Sequence, residues 1–141
     1  MHAGRLADGQ CLLATIEPWH GNRVAVYLAA IVARADGQQS LGPPGGRTVL
    51  DQSLADGHAL WLADVDRDGD DEVFAGHRGK DHRVSMYDFD RATNEWKKIV
   101  LDREIAAQDL RGGDLDGDGT PDVVAVGGST HNVVWYRPKK R

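Results

Sequence analysis

The sequence predicts an all-β fold assembled from short antiparallel strands, on three observations. Glycine supplies 17 of the 141 residues, about 12% against an ordinary share of roughly 7%, which favours turns over long helices. Apolar residues come in short runs punctuated by Gly, Asp and Asn, and no segment keeps a helical period over three turns. Two Asp-rich segments begin 50 residues apart, at Asp64 and Asp114. A period of that size points to propellers, solenoids or arrays. Four short antiparallel strands in each period select the β-propeller blade. The expectation is a partial β-propeller of about two and a half four-stranded antiparallel blades.

The elements follow in order. The first unit, 1–57, supplies strands at Leu12–Ile16, Val24–Leu28 and near Thr48. It shows no obvious inner strand and only a vestigial Asp8-Gly9 loop. Leu28 to Arg34 reads as strand running into loop. The Gly/Pro-rich stretch 35–47 reads as a mobile insertion. The second unit, 58–107, is complete, with strands at Leu60–Asp64, Val73–Gly76, Val84–Tyr87 and Trp96–Leu101. The third unit, 108–141, starts near Gln108, has strands at Val123–Val126 and Val133–Tyr136, and lacks a fourth. The match between units reaches beyond the Asp segments. Val49-Leu50-Asp51 recurs as Val100-Leu101-Asp102, and Val84 to Tyr87 recurs as Val133 to Tyr136 and, earlier, as Val24 to Tyr27.

Composition excludes several classes. With 17 basic and 22 acidic residues the net charge is −5, without the basic footprint of a general nucleic-acid binder. The single Cys11 forbids an intrachain disulfide; beside Leu12-Leu13 it reads as buried and inert. No apolar run approaches the length of a membrane-spanning helix. Met1 to Gln10 holds no apolar core of signal-peptide length, so nothing points to export.

The acidic residues are concentrated. Asp64-Val-Asp66-Arg-Asp68-Gly69-Asp70-Asp71-Glu72 and Asp114-Leu-Asp116-Gly-Asp118-Gly119-Thr120-Pro121-Asp122 hold ten of the 22. Carboxylates at positions 1, 3 and 5 of a tight loop converge on one point, and Gly at position 6 permits the turn. Position 7 (Asp70 or Thr120) offers a backbone carbonyl, and position 9 (Glu72 or Asp122) closes the cage. An all-oxygen set of this kind suits Ca²⁺. An EF-hand would need Glu at position 12, where Ala75 and Ala125 stand, and flanking helices. Two Ca²⁺ ions are therefore expected, one per loop.

These loops and their period resemble FG-GAP/VCBS-type propeller repeats, also found in integrin α-subunit heads. That resemblance implies a calcium-binding segment acting as scaffold or binding module, or an integrin-like adhesion or protein-interaction module. Three further strings are Ile16-Glu17-Pro18-Trp19-His20-Gly21-Asn22, Asp56-Gly57-His58-Ala59-Leu60-Trp61, and Gly127-Gly128 through Tyr136. They are similar to bacterial relatives of the propeller domain of aldos-2-ulose dehydratase, covering its C-terminal part. This implies a metal-dependent sugar lyase and a carbohydrate ligand. On that reading His20 and His58 hold Zn²⁺ or a similar ion, and Glu17 is a third ligand or the base. The family's relatives are secreted or cytoplasmic, which leaves the compartment open.

The remaining aromatic and imidazole groups have plainer expectations. Trp61, Trp96 and Trp135 read as core between blades, and Trp19 as packed in its loop. His77, His82 and His131 read as exposed and His2 as disordered. The basic tail Pro138 to Arg141 reads as a solvated terminus. Fewer than three blades leaves open strand edges, so closure by a second copy or by a missing propeller segment is expected.

Overall fold

The computed structural model describes residues 1–138. Thirteen strands occur among them, all paired antiparallel, with no helix and no closed barrel. Among the described residues no helix is long and apolar enough to cross a membrane. The first sheet runs β1 (His2–Arg5), β2 (Cys11–Glu17), β3 (Arg23–Ala29) and β6 (Arg47–Asp51) in spatial order. The second runs β7 (Gly57–Ala63), β8 (Glu72–His77), β9 (Arg83–Asp90) and β10 (Glu95–Asp102). The third holds β11 (Ala107–Gly113), β12 (Asp122–Gly127) and β13 (Val133–Tyr136), and a small hairpin pairs β4 (Ile31–Ala33) with β5 (Gln39–Leu41). This all-β arrangement of antiparallel sheets is consistent with a partial β-propeller-like fold.

Two apolar layers hold the sheets together. Leu12, Ala14, Val24 and Val26 of the first sheet pack on Leu60, Leu62, Val73 and Tyr87 of the second. Phe74 and Val84, on the opposite face of the second sheet, pack on Leu110, Val123 and Ala125 of the third. The alternation of strand side chains explains this: neighbouring residues of β8 point to opposite faces, and both faces are covered. All of β8 is accordingly buried. At Gly76 the second and third sheets approach so closely that a Cβ would stand 2.5 Å from Ala107 Cβ.

The three sheets share one register. Val73 faces Tyr87 and Phe74 faces Met86 in the second sheet. Val123 faces Tyr136 and Val124 faces Trp135 in the third, and Leu13 faces Tyr27 and Ala14 faces Val26 in the first. The repeated Val-Leu-Asp and Tyr residues acquire a role here. Tyr87 OH donates to Asp51 Oδ2 at 2.7 Å, and Tyr136 OH donates to Asp102 Oδ2 at 3.0 Å. Each tyrosine thus ties its sheet to the outer strand of the preceding one. The matching tyrosine of the first sheet bonds within its own sheet: Tyr27 OH donates to Glu17 Oε1 at 2.6 Å.

Several expectations are corrected. The first unit does have an inner strand, β1, too short and too polar to stand out from the sequence. His2 lies in it, edge-on to Trp61 with ring centroids 5.6 Å apart. The stretch 35–47 is not simply a mobile loop, because Gln39–Leu41 pairs with Ile31–Ala33. His77 ends β8 and is 1% exposed, whereas His82 is half-buried and His131 exposed. Trp61 and Trp96 flank the two cores, but Trp135 is 47% exposed, because no fourth sheet covers its face among the described residues. Cys11 is half-buried rather than buried. Of the tail, Lys139 to Arg141 lies outside the described residues.

Candidate metal centre

The two Asp loops occupy the same place in consecutive sheets: 64–72 joins β7 to β8 and 114–122 joins β11 to β12. They fold through the same four hydrogen bonds. The position-6 amide donates to the position-1 carboxylate, Gly69 N to Asp64 Oδ2 at 3.1 Å and Gly119 N to Asp114 Oδ2 at 2.9 Å. Asp68 N and Asp118 N donate to Asp66 and Asp116, each at 3.2 Å. Asp70 N and Thr120 N donate to Asp68 and Asp118 at 2.8 and 2.9 Å. Val65 N and Leu115 N donate to the position-9 carboxylates of Glu72 and Asp122 at 2.8 and 3.0 Å. Gly69 and Gly119 take φ of +94° and +85°, the left-handed region where glycine carries no Cβ penalty.

This folding brings Asp64, Asp66 and Glu72 together, with one oxygen from each within 4.8 Å of the others, and does the same for Asp114, Asp116 and Asp122. Asp68 and Asp118 belong to neither group, although each caps the next turn. Asp70 faces elsewhere. Its carboxylate pairs with Arg91 and accepts from Ala7 N at 2.8 Å, while Asp71 Oδ2 accepts from Arg5 N at 2.7 Å. These two residues fasten the loop to the first sheet, and burial raises the Asp71 carboxyl. Arg67 donates from its guanidinium to Asp118 O at 3.1 Å, so the two loops are direct neighbours.

The first loop has a further property. Asp64 Oδ1 and Glu72 Oε1 are buried and have no hydrogen-bond partner. Glu72 is 1% exposed, and burial, reinforced by the carboxylates of Asp66, Asp88 and Asp64, pushes it up to about 8 against the bond from Val65 N–H. A carboxylate in such a place needs a proton or a cation. The donor set is oxygen only, which suits a hard divalent ion. The second loop is more open: Asp114 and Asp116 are exposed, and Arg137 pairs with Asp116.

The histidine constellation is only partly assembled. The rings of His20 and His58 stand 4.7 Å apart by centroid. His20 Nδ1 lies 3.2 Å from Asp56 Oδ1 and 3.3 Å from the Arg78 guanidinium. His58 Nδ1 lies 2.6 Å from Gln108 O, which orients its ring. Trp19 stands edge-on to His20 and is 85% exposed, so it is not packed in its loop. A cleft of about 110 Å³ lies between Trp19, His20, His58 and Leu60.

Glu17 does not join them. It accepts from Thr15, Tyr27 and both donors of the Arg47 fork, and the Arg47 and Tyr27 bonds lower its carboxyl to about 2. A carboxylate held that low is a weak base near neutral pH. Among the described residues no three-ligand group includes Glu17, His20 or His58. Sequence reasoning passed over the Arg78–Asp56–Gln108 network around His20, since those residues are far apart in sequence and no local motif marks them.

No curated protein and no solved structure matches the chain. The relationship to aldos-2-ulose dehydratase is not supported. One family matches, over somewhat less than half of the chain and spanning both Asp loops: residues 64–125 carry an FG-GAP-like repeat.

Proposed function

We propose that the chain is a calcium-stabilised binding or scaffold module of the β-propeller type, with one Ca²⁺ held in each Asp loop. The observation that supports this reading is the buried, unpartnered pair Asp64 Oδ1 and Glu72 Oε1 beside Asp66. Asp64, Asp66 and Glu72 would hold the first ion and Asp114, Asp116 and Asp122 the second. Ca²⁺ takes six to eight oxygens at roughly 2.3–2.6 Å, so backbone carbonyls and water would complete each shell. The ion's contribution is structural: it neutralises carboxylates that otherwise repel, and its binding free energy adds to folding.

Calorimetric titration of chelator-treated protein with CaCl₂ tests the reading. Two sites are expected, the loop at 64–72 the tighter because its carboxylates are the more buried. At calcium one hundred times the dissociation constant, a site stabilises the fold by about 2.7 kcal/mol, seen as a higher melting temperature. Asp64→Asn should remove the tighter site and leave the other. No binding heat, together with equal melts in EDTA and CaCl₂, would overturn the assignment.

A further inference from the structure

At position 4 the two Asp loops share a backbone and differ in residue. Both take a left-handed conformation there, φ +66° at Arg67 and +76° at Gly117. Glycine carries no steric penalty in that region, whereas arginine does. The first loop therefore keeps a strained residue where the second has glycine, and the arginine side chain leaves its own loop.

That side chain ends on the second loop. Arg67 Nη2 donates to Asp118 O at 3.1 Å, and a Cβ built on Gly119 would stand 2.9 Å from the same nitrogen. The peptide unit so gripped, Asp118–Gly119, is bound at its other end as well: Gly119 N donates to Asp114 Oδ2 at 2.9 Å. The C=O and N–H of a trans peptide lie in one plane, so holding the carbonyl aims the amide. Asp114 is the first carboxylate of the group Asp114, Asp116 and Asp122. Arg67 thus reaches a ligand group of the second loop through a single peptide plane.

The backbone of Arg67 stands inside the first loop. Arg67 follows Asp66, which belongs to the group Asp64, Asp66 and Glu72, and the next amide, Asp68 N, donates to Asp66 at 3.2 Å. The turn that carries Arg67 is therefore built on a ligand residue. Beside it, Asp64 Oδ1 and Glu72 Oε1 are buried without a hydrogen-bond partner, and Glu72 is 1% exposed. Carboxylates so placed repel one another unless a cation holds them.

We propose that Arg67 is a positioning residue that couples the two loops: a divalent cation held at 64–72 fixes the turn carrying Arg67, and Arg67 sets the loop at 114–122 for a cation of its own. The coupling rests on the calcium reading above and adds a sign to it. Two divalent ions in neighbouring loops repel, the more so at low salt. Loops without a mechanical link would bind independently or antagonistically. The Arg67 link makes the first ion favour the second.

Amide hydrogen exchange read by NMR and calorimetric titration with CaCl₂ test it on the full chain. Asp116→Asn removes a carboxylate of the second group and leaves the Gly119–Asp114 bond in place. In that variant one equivalent of calcium should slow exchange at Gly119 by about fivefold or more. Adding Arg67→Gly, which suits the left-handed backbone and should keep the wild-type circular dichroism spectrum, should abolish the slowing. This arm needs no ion in the second loop. In titrations, Asp64→Asn should weaken calcium binding at 114–122 by about fivefold or more, and the difference should vanish in an Arg67→Gly background. The ratio removes the direct effect of the Arg67 charge, which is common to both members of each pair. Calcium bound at 64–72 with Gly119 exchange unmoved, or slowed equally in Arg67→Gly, overturns the coupling and leaves the calcium reading standing. No calcium bound at 64–72 overturns both.

Discussion

At the scale of the residue, the carboxylates divide into three kinds by what surrounds them. Asp70 and Asp71 hold backbone and arginine, Asp64 and Glu72 keep buried oxygens without a partner, and Asp51 is enclosed by donors. Asp51 is buried, which opposes its ionisation. The Lys98 ammonium at 2.5 Å, Ser53 and Tyr87 outweigh that and hold its carboxyl well below the ordinary range. The sign follows from linkage: a carboxyl lowered in the fold contributes stability above its unfolded value, near 3.9, and loses it as pH falls through the folded one. Melting temperature should therefore drop on acidification below about pH 4, and Asp51→Asn should flatten part of that drop. At neutral pH Asp51→Asn should cost about 3 kcal/mol, since it leaves Lys98 without its buried partner. Tyr87→Phe should cost about 1–2 kcal/mol by removing one of the hydrogen bonds to the carboxylate. Urea unfolding of the three proteins measures both effects.

At the scale of the element, loop geometry and sheet spacing set the tolerances. Gly69 has a positive φ, and a Cβ there would lie 3.0 Å from Ala7 Cβ. Gly69→Ala should lower stability by at least about 1 kcal/mol and weaken the calcium binding proposed for 64–72. Gly117→Ala, with φ of +76° but open space around it, should show the conformational cost alone. Gly76→Val should destabilise by about 1–3 kcal/mol through overpacking against Ala107. The register-equivalent residue in the third sheet is already valine, Val126, and is tolerated there because no further sheet packs on it among the described residues, leaving it 44% exposed. Thermal melts of the three variants rank the effects. The loops themselves were largely legible in the sequence, because Asp at alternate positions and Gly at position 6 is a local pattern. That the Asp70 side chain turns away to Arg91 and the Ala7 amide was not legible, since both reach it from other turns of the chain.

At the scale of the whole molecule, stability rests on two apolar layers between three sheets. Phe74 is central to the second layer, and Phe74→Ala should cost about 3–5 kcal/mol, measurable by urea unfolding. Trp135→Glu should leave the melt nearly unchanged, since that side chain is already 47% exposed. The contrast between these two strand aromatics cannot be read from their sequence neighbourhoods. Both alternate with residues that face a core. Only one has a sheet in front of it.

The sequence by itself determined the antiparallel strands, the fifty-residue period and the two acidic loops, because each depends on residues close together along the chain. Period-two alternation and turn-forming glycine act over a few residues, and so they survive without knowledge of the fold. Tertiary structure decided what those residues meet. It placed β1 beside β2, buried His77, bound Glu17 to Tyr27 and Arg47, and brought His20 next to His58 without a third ligand among the described residues. Each of those outcomes is a contact between separate strands or turns, set by how the strands pair and how the sheets stack. The same stacking left one apolar face of the third sheet open.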